Sequence, residues 1–539
     1  MREHPSCAAP SKPWAPTRLL EISGTPAGFA VHLVETSFQE SVGEYRYAAL
    51  SHMWGDLTSP APFRTVAGNI ERLRHCIDPG ELPRNFIDAI LVCMRLGISY
   101  VWIDSLCIIQ DSDEDWEREA VLMHLVYRHA VTTIVATSAT SSYDGFLHRD
   151  YSKDLAVKVA YSTIGEDTNA SGVEHQKYFV ASLPSIYYQE WYPFFAINAS
   201  VWNTRGWTMQ ERCLSTRMLH FCRNKLFFEC RAGIQSEEGE PEQEKNLTSG
   251  VLWPRCASPS PSADFCSELY TRWQFLLTEY SLRRLTYGSD RLKAVQSVAN
   301  EMATVATGWE YLDFAGMWRH NLARELLWCV FLGDATRPNK SRAPTWSWGS
   351  LDAQVLFNTR ILSNTQRSIS RNLTSLLNKH PFEVRGFGKT LLGHHFGEDF
   401  HGYLEVRTLA RRVSSFRRLE EPGRWRKFFP YNLSLAIDTG SDGKPDLLAI
   451  ERVFAHGKLD LDLSDSPQGR GRELLYMHVD IGTRATGLIL EKSLDIEQKG
   501  LKGLWRRVGL ASLFEDRTGI LIMDDTFGGD EVHQSLVLI

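Results

Sequence analysis

The fold of the first module is decided by residues 82–137, LPRNFIDAILVCMRLGISYVWIDSLCIIQDSDEDWEREAVLMHLVYRHAVTTIVAT. Residues 83–97 repeat apolar side chains at helical spacing, and they begin with proline and end with glycine, as helices often do. The β-branched run at 100–109 predicts a strand. Residues 113–130 carry an apolar stripe at helical spacing, and 131–137 predict another strand.

One more strand precedes this stretch, at Tyr45–Met53, and it ends in the loop signal Trp54-Gly55-Asp56. The order is therefore strand, helix, strand, helix, strand. This order predicts right-handed βαβ units and an α/β fold, with a parallel sheet flanked by helices.

Composition changes along the chain predict five segments. They are a flexible Pro/Ala/Ser-rich tail at 1–16, an α/β domain at 17–235, an acidic and then Pro/Ser-rich linker or exposed excursion at 236–265, a helical segment at 266–344, and a β-rich region at 345–539. The helical segment shows apolar periodicity, whereas the last segment consists of short β-like runs.

The bulk composition excludes several classes of protein. The chain has 539 residues, a net charge of -6 and a pI of about 6.3, which disfavour a nucleic-acid binder. It has no apolar run of 18 residues and no secretory leader, so we predict no membrane span and a cytoplasmic location. It has no Cys-x-x-Cys pair and no phosphate-binding glycine loop, so we predict no metal and no bound cofactor.

Polar residues gather where the predicted strands end. Ser51 lies at the end of the first strand, and Asp104 and Ser105 lie late in the second. Ligands of open α/β sheets bind at the carboxyl ends of strands, so these residues are candidates for a binding site. The alternative for Asp104 is a carboxylate that caps a nearby turn or helix.

Three blocks resemble the fungal heterokaryon incompatibility (HET) domain. They are YAALSHMWGD at 47–56, the stretch at 82–137, and RGWTMQERCLSTRMLHF at 205–221. The chain departs from the usual pattern at His52-Met53, where Tyr-Cys is common, and at Met209, where Leu is common. The resemblance implies a nonself-recognition module that triggers programmed cell death when genetically different hyphae fuse.

The resemblance also implies a flavodoxin-like fold close to the Toll/interleukin-1 receptor (TIR) domains, many of which cleave NAD. Their key glutamate lies on a helix in a Trp-Cys-x-x-Glu-like context, which Trp116 to Glu119 partly matches. Glu119 falls about 60° from Trp116 around the helix, on the border of the apolar stripe. The resemblance therefore implies that Glu119 is catalytic, with NAD as substrate and a pocket lined by Ser51, Trp54, Asp104, Ser105 and Trp116. The alternative is a solvated Glu119 that pairs with Arg118 or Arg128.

The block at 205–221 offers a second polar cluster, formed by Arg205, Gln210 and Glu211. Glu211 is an alternative acid in this hypothesis. The structural interpretation is that Trp207 anchors the segment while Arg205 pairs internally with a carboxylate.

Two functions stay open at this point. One is a death effector that depletes NAD as an NAD glycohydrolase, and the other is a non-catalytic module that acts through homo-oligomerisation and partner binding. TIR-like folds do both, so the fold does not decide between them. The sequence shows no nucleotide-binding oligomerisation core and no repeat array for sensing. The chain is therefore expected to sense through its β-rich C-terminal region or to depend on an incompatibility partner protein.

Overall fold

Three strands open the N-terminal unit, Met1–Arg255, before its first helix. Its strands are β1 Arg18–Thr25, β2 Gly28–Glu35, β3 Tyr47–Ser51, β4 Tyr100–Ile103, β5 Thr132–Val135, β6 Ala156–Tyr161, β7 Lys177–Ser182, β8 Arg217–Phe221, β9 Leu226–Cys230 and β10 Gly233–Ser236. Its helices are α1 Ile70–His75, α2 Arg84–Leu96, α3 Asp104–Cys107, α4 Asp113–His129 and α5 Trp207–Leu214.

The computed structural model describes residues 7, 14–36, 45–56, 62–148, 156–161, 177–182, 194–237, 263–306, 308–331, 335–357, 382–388, 402–418, 431–435, 455–459, 474–481, 485–492, 504–513 and 533–538. Most of the tail predicted at 1–16 and most of the linker predicted at 236–265 lie outside these residues.

Four parallel strands form the centre of the N-terminal sheet, in the spatial order β4-β3-β5-β8. Antiparallel strands extend both edges, with β1 and β2 beside β4 and with β9 and β10 beside β8. The predicted α/β class is confirmed, although the sheet is mixed rather than purely parallel. The parallel strands follow the flavodoxin-like order 2-1-3-4, which places the topological switch point at the carboxyl ends of β3 and β5.

The central strands are buried on both faces, and helices cover them. Right-handed crossovers from β3 to β4 and back to β5 require α2 on one face and α4 with α5 on the other. Tyr47 of β3 donates a hydrogen bond to the carbonyl of Val126 in α4, at 2.7 Å. Side chains alternate between the two faces of a strand, and Ser51 follows Tyr47 by four residues, so it also points to the face of α4. His52 points to the face of α2, where its ring contacts the ring of Phe86.

The helix predicted between residues 83 and 97 is confirmed as α2. Pro83 precedes its first residue, and Gly97 ends it in the left-handed conformation, with φ of 66°. The backbone N–H of Gly97 closes the helix on the carbonyls of Cys93 and Met94. Glycine suits this position because it adopts a positive φ without the steric penalty of a Cβ.

The strand predicted at 100–109 is shorter than expected. β4 ends at Ile103, and Asp104 begins the short helix α3. The apolar run continues through both elements because both are buried, so periodicity alone could not locate the boundary. Asp104 therefore lies at the carboxyl end of the strand and not within it.

The apolar stripe predicted along α4 is wrong in its first half. Trp116 is only half-buried, whereas Asp115 and Glu119 are buried. Both carboxylates face Arg18 of β1, and the guanidinium of Arg18 makes a charge-assisted pair with Asp115. An ion pair with a distant strand thus overrides the amphipathic pattern of the helix.

The second unit, Cys256–Ile539, combines helices with an eight-stranded sheet. Its helices are α6 Ala263–Ser281, α7 Lys293–Val305 and α8 Leu322–Glu325. Its strands are β11 Tyr311–Leu312, β12 Met317–Trp318, β13 Trp328–Val330, β14 Val355–Phe357, β15 Glu383–Gly388, β16 Tyr403–Arg418, β17 Tyr431–Leu435, β18 Ala455–Leu459, β19 Leu474–Ile481, β20 Ala485–Lys492, β21 Leu504–Leu513 and β22 His533–Leu538.

Strands dominate the described residues after 382, as the sequence predicts. The larger sheet of this unit contains β15 to β22 and is antiparallel except where β21 meets β22. Trp346 and Trp348 of the segment TWSWGS, at residues 345–350, are fully buried. In the part of the chain that the structure describes, no helix has the length and apolarity needed to cross a membrane.

Candidate functional site

The end of β3 joins a carboxyl group that comes from far along the chain. The hydroxyl of Ser51 donates a hydrogen bond to the Oε2 atom of Glu211 in α5. Tyr127 of α4 makes a second hydrogen bond to the same carboxyl group. All three side chains are buried. Because Ser51 ends β3 and points to the face covered by α4 and α5, the cluster lies on that face at the switch point of the sheet.

Trp202 fixes the orientation of the Ser51 hydroxyl. Its indole Nε1 donates to Ser51 Oγ at 2.6 Å, and an indole N–H can only donate. The Ser51 oxygen therefore accepts from Trp202, and its own proton is directed to Glu211. Trp202 is fully buried, and its ring lies edge-on to His220 at 5.6 Å.

The pKa of Glu211 is raised to about 7, chiefly because burial disfavours the charged carboxylate. Arg205 and the hydrogen bond from Ser51 act in the opposite direction, and the negative charge of Asp104 raises the pKa further. A carboxyl group with a pKa near neutrality exists in both forms at physiological pH. Such groups are suited to proton transfer and to catalysis.

This pKa predicts a pH-dependent cost to stability. Between 4.5, the ordinary value, and about 7, the folded state binds more protons than the unfolded state. The free energy of unfolding should therefore fall as pH rises through this window, by at most about 3 kcal/mol, and remain lower above it. Glu211→Gln should not show this pH-dependent fall in the free energy of unfolding. Denaturant titrations of the wild type and of Glu211→Gln between pH 4.5 and 8 would measure the difference. A difference in stability that does not change with pH would contradict the assignment.

The outer part of the cluster contains three half-buried side chains, Trp54, Asp104 and Arg205. Trp54 Nε1 donates to Asp104 Oδ2 at 2.9 Å, and Asp104 Oδ1 accepts the backbone N–H of Ser105 at 2.8 Å. Asp104 is the first residue of α3, and its carboxylate contributes charge to the site. The Arg205 guanidinium donates to the backbone carbonyl of His52. Asp104 and Arg205 both act on the carboxyl group of Glu211 through their charges.

Several predicted site residues are buried in ways that the sequence does not reveal. Ser105 and Gln210 are 2% and 1% exposed, and among the described residues the Ser105 hydroxyl and both amide atoms of Gln210 have no hydrogen-bond partner. Trp207, the expected anchor of its segment, is half-buried, and the fully buried anchor is Trp202.

His52 lies beside this cluster but faces the opposite side of the sheet. Its Nε2 atom is 3.2 Å from the Ser142 hydroxyl. Burial lowers the pKa of His52 to about 4, so the imidazole is neutral at physiological pH. The side chain therefore packs against α2 and supplies no positive charge to the site.

A second buried network lies next to the first and includes residues that sequence reasoning missed. The Arg212 Nε atom donates to both oxygens of Glu229, at 3.2 and 3.1 Å, and His220 Nε2 lies 2.7 Å from Glu229 Oε2. Burial alone would raise the pKa of Glu229, but Arg212 and His220 lower it to about 2. Glu229 is therefore ionised, and the network holds α5 against β8 and β9.

Glu119 belongs to a different cluster. Its Oε1 atom lies 3.9 Å from an Arg18 nitrogen and 3.6 Å from Arg118 Nε. Burial raises the pKa of Glu119, while Thr17 and the two arginines lower it. The side chain is buried, so the solvated alternative is wrong, although the pairing with Arg118 is present. Among the described residues, no hydrogen bond or ion pair joins Glu119 to Ser51, Trp54 or Asp104.

The described residues contain no group of three or more His, Cys, Asp and Glu side chains arranged to hold a metal ion. The groups gathered at the switch point are two carboxyl groups, two hydroxyl groups, two indoles and one guanidinium, from Glu211, Asp104, Ser51, Tyr127, Trp54, Trp202 and Arg205.

The comparisons with known proteins identify the domain. Residues 47–211 match the family model described as "Heterokaryon incompatibility protein (HET)". The match begins with the first residue of β3 and ends at Glu211, so it includes both Ser51 and Glu211, the two residues of this hydrogen bond. Neither the curated proteins nor the solved structures give a match, and the kinship with TIR domains stays a prediction. The family indicates a role in heterokaryon incompatibility. The chain therefore contains a HET domain over residues 47–211.

Proposed function

We propose that the HET domain is a cell-death effector in heterokaryon incompatibility that hydrolyses NAD at the nicotinamide–ribose bond, with Glu211 as the reacting carboxyl group. One observation carries the proposal. Glu211 lies at the switch point of the sheet, bonded to Ser51, and has a pKa of about 7. Open α/β sheets bind ligands at this point, and titratable groups with shifted pKa values gather at functional sites.

The reaction depends on the ionised form of Glu211 and not on its protonated form. The C1′–N bond breaks with its electron pair going to nicotinamide, which leaves as a neutral molecule, and positive charge develops on the ribose as in glycoside hydrolysis. Water then adds to C1′ and releases one proton, giving ADP-ribose. A buried Glu211 carboxylate stabilises the developing positive charge and accepts the proton from water.

The half-buried residues around Glu211 provide the remaining contacts in this proposal. The indole of Trp54 offers a surface on which the nicotinamide ring stacks, and Asp104 holds the indole in place. Arg205 supplies the positive charge that a pyrophosphate requires. Ser51 keeps the carboxyl group of Glu211 oriented, because Trp202 directs the hydroxyl proton to it.

Glu119 fits this chemistry less well than Glu211. Arg18 and Arg118 lie within 4 Å of its carboxylate and offset part of its negative charge, although both also pair with Asp115. A partly compensated carboxylate offers less stabilisation to a developing cation. The contacts therefore favour Glu211, the alternative acid of the sequence-based hypothesis.

The direct test incubates the purified full chain with NAD and quantifies nicotinamide and ADP-ribose by chromatography. We expect the two products in equal amounts, with a rate that rises through about pH 7 as Glu211 ionises. If cells die on expression while neither the purified chain nor their extracts release nicotinamide, the proposal is wrong. That outcome favours the non-catalytic module, which acts through oligomerisation and a partner protein.

A further inference from the structure

Two buried thiols from distant parts of the N-terminal unit contact each other. Cys7 is 2% exposed, and Cys230, the last residue of β9, is 6% exposed. A hydrogen bond joins the two thiol groups. Neither cysteine takes part in a disulfide bond.

Arg217 explains how this contact arises. It is the first residue of β8 and lies directly opposite Cys230 in the antiparallel pair formed by β8 and β9. Its guanidinium donates a hydrogen bond to the backbone carbonyl of Cys7. The same arginine therefore places Cys7 at the end of β9, beside the thiol of Cys230.

We propose that Cys7 and Cys230 are a redox modification site that forms a disulfide bond in the presence of a hydroperoxide. One thiol ionises, and its thiolate attacks the peroxide to give a sulfenic acid and a hydroxide or, from an organic peroxide, an alkoxide. The proton released by the thiol converts this leaving group to water or to an alcohol. The second thiol attacks this sulfur, forms the S–S bond and releases one water. The two cysteines together lose two electrons and two protons, and the peroxide is reduced. The sulfur atoms need only move from hydrogen-bond contact to about 2.05 Å.

The surroundings make this site slow to react and stable once formed. Burial and the neighbouring Cys7 raise the pKa of Cys230, so the thiolate is scarce while Cys7 is docked. Oxidation at neutral pH is therefore slow. The disulfide then ties Cys7 to β9 of the N-terminal sheet, and it closes a long loop between Cys7 and Cys230. Closing long loops stabilises the folded state most strongly.

The test treats the reduced full chain with hydrogen peroxide and identifies disulfide-linked peptides by mass spectrometry without reduction. We expect a peptide pair that contains Cys7 and Cys230, together with a rise in melting temperature of roughly 5–10 °C that dithiothreitol reverses. The matched control is Cys76→Ser, which removes an exposed thiol and should leave both results unchanged.

Cys7→Ser and Cys230→Ser should each abolish the linked peptide and the shift in melting temperature. Cys7→Ser keeps the proposal testable if replacement of Cys230 within the sheet disturbs folding. Recovery of both thiols as alkylated cysteines after prolonged oxidation would overturn the proposal. A disulfide that instead joins either residue to a different cysteine would overturn it as well.

Discussion

Glu211→Gln is expected to lower the rate of NAD hydrolysis by about 10²–10³-fold, the usual scale for removing a buried group that stabilises transition-state charge. The amide keeps the size of the side chain and can still accept the hydrogen bond from Ser51. It cannot carry the negative charge that the developing ribose cation requires. Rates of nicotinamide release at pH 8 would measure the effect, with circular dichroism as a check on folding.

Two other glutamates make this test specific. Glu117→Gln is the neutral control, because Glu117 is exposed on α4. Glu119→Gln separates the two candidate carboxylates, and we expect it to retain most of the activity. If Glu119→Gln removes the activity while Glu211→Gln keeps it, the site lies at the Arg18 cluster and not at the switch point.

Glu229→Gln is expected to destabilise the N-terminal unit by about 3–5 kcal/mol, the usual cost of removing one partner of a buried ion pair. Arg212 would remain buried and charged without a carboxylate, and His220 would lose its close contact with Glu229. Chemical denaturation of the full chain, followed by tryptophan fluorescence, would measure the change. Trp202, one of the 16 tryptophans, packs against His220 and contributes to this signal.

The matched control for this prediction is Glu81→Gln, which breaks the ion pair with Arg72. Both side chains of that pair are about half exposed, so its loss should cost less than about 1 kcal/mol. Equal destabilisation by the two substitutions would contradict a special role for the buried network.

Local patterns predict the framework of the N-terminal domain well. The strand and helix order from 45 to 137 leads directly to the parallel centre of the sheet, and the glycine at 97 ends α2 in the left-handed conformation. Ser51 lies at the end of its strand, as the sequence indicates. These predictions succeed because they depend on residues close together in the chain.

The contacts that form the site could not be predicted in the same way. Ser51 and Glu211 are 160 positions apart, and Trp202 meets Ser51 across 151 positions. No spacing rule links residues at such separations, because the fold brings them together. The burial of Glu119 is a similar case. Its partner Arg18 lies on β1, and the spacing of apolar residues along α4 gives no information about contacts with that strand.

The most direct test of the central claim measures cellular NAD and viability together, after expression of the wild type and of Glu211→Gln at equal levels in a fungal host. We predict that the wild type depletes NAD before the cells die, and that Glu211→Gln leaves both NAD and viability intact. Cell death with unchanged NAD, or equal NAD loss with Glu211→Gln, would contradict the account.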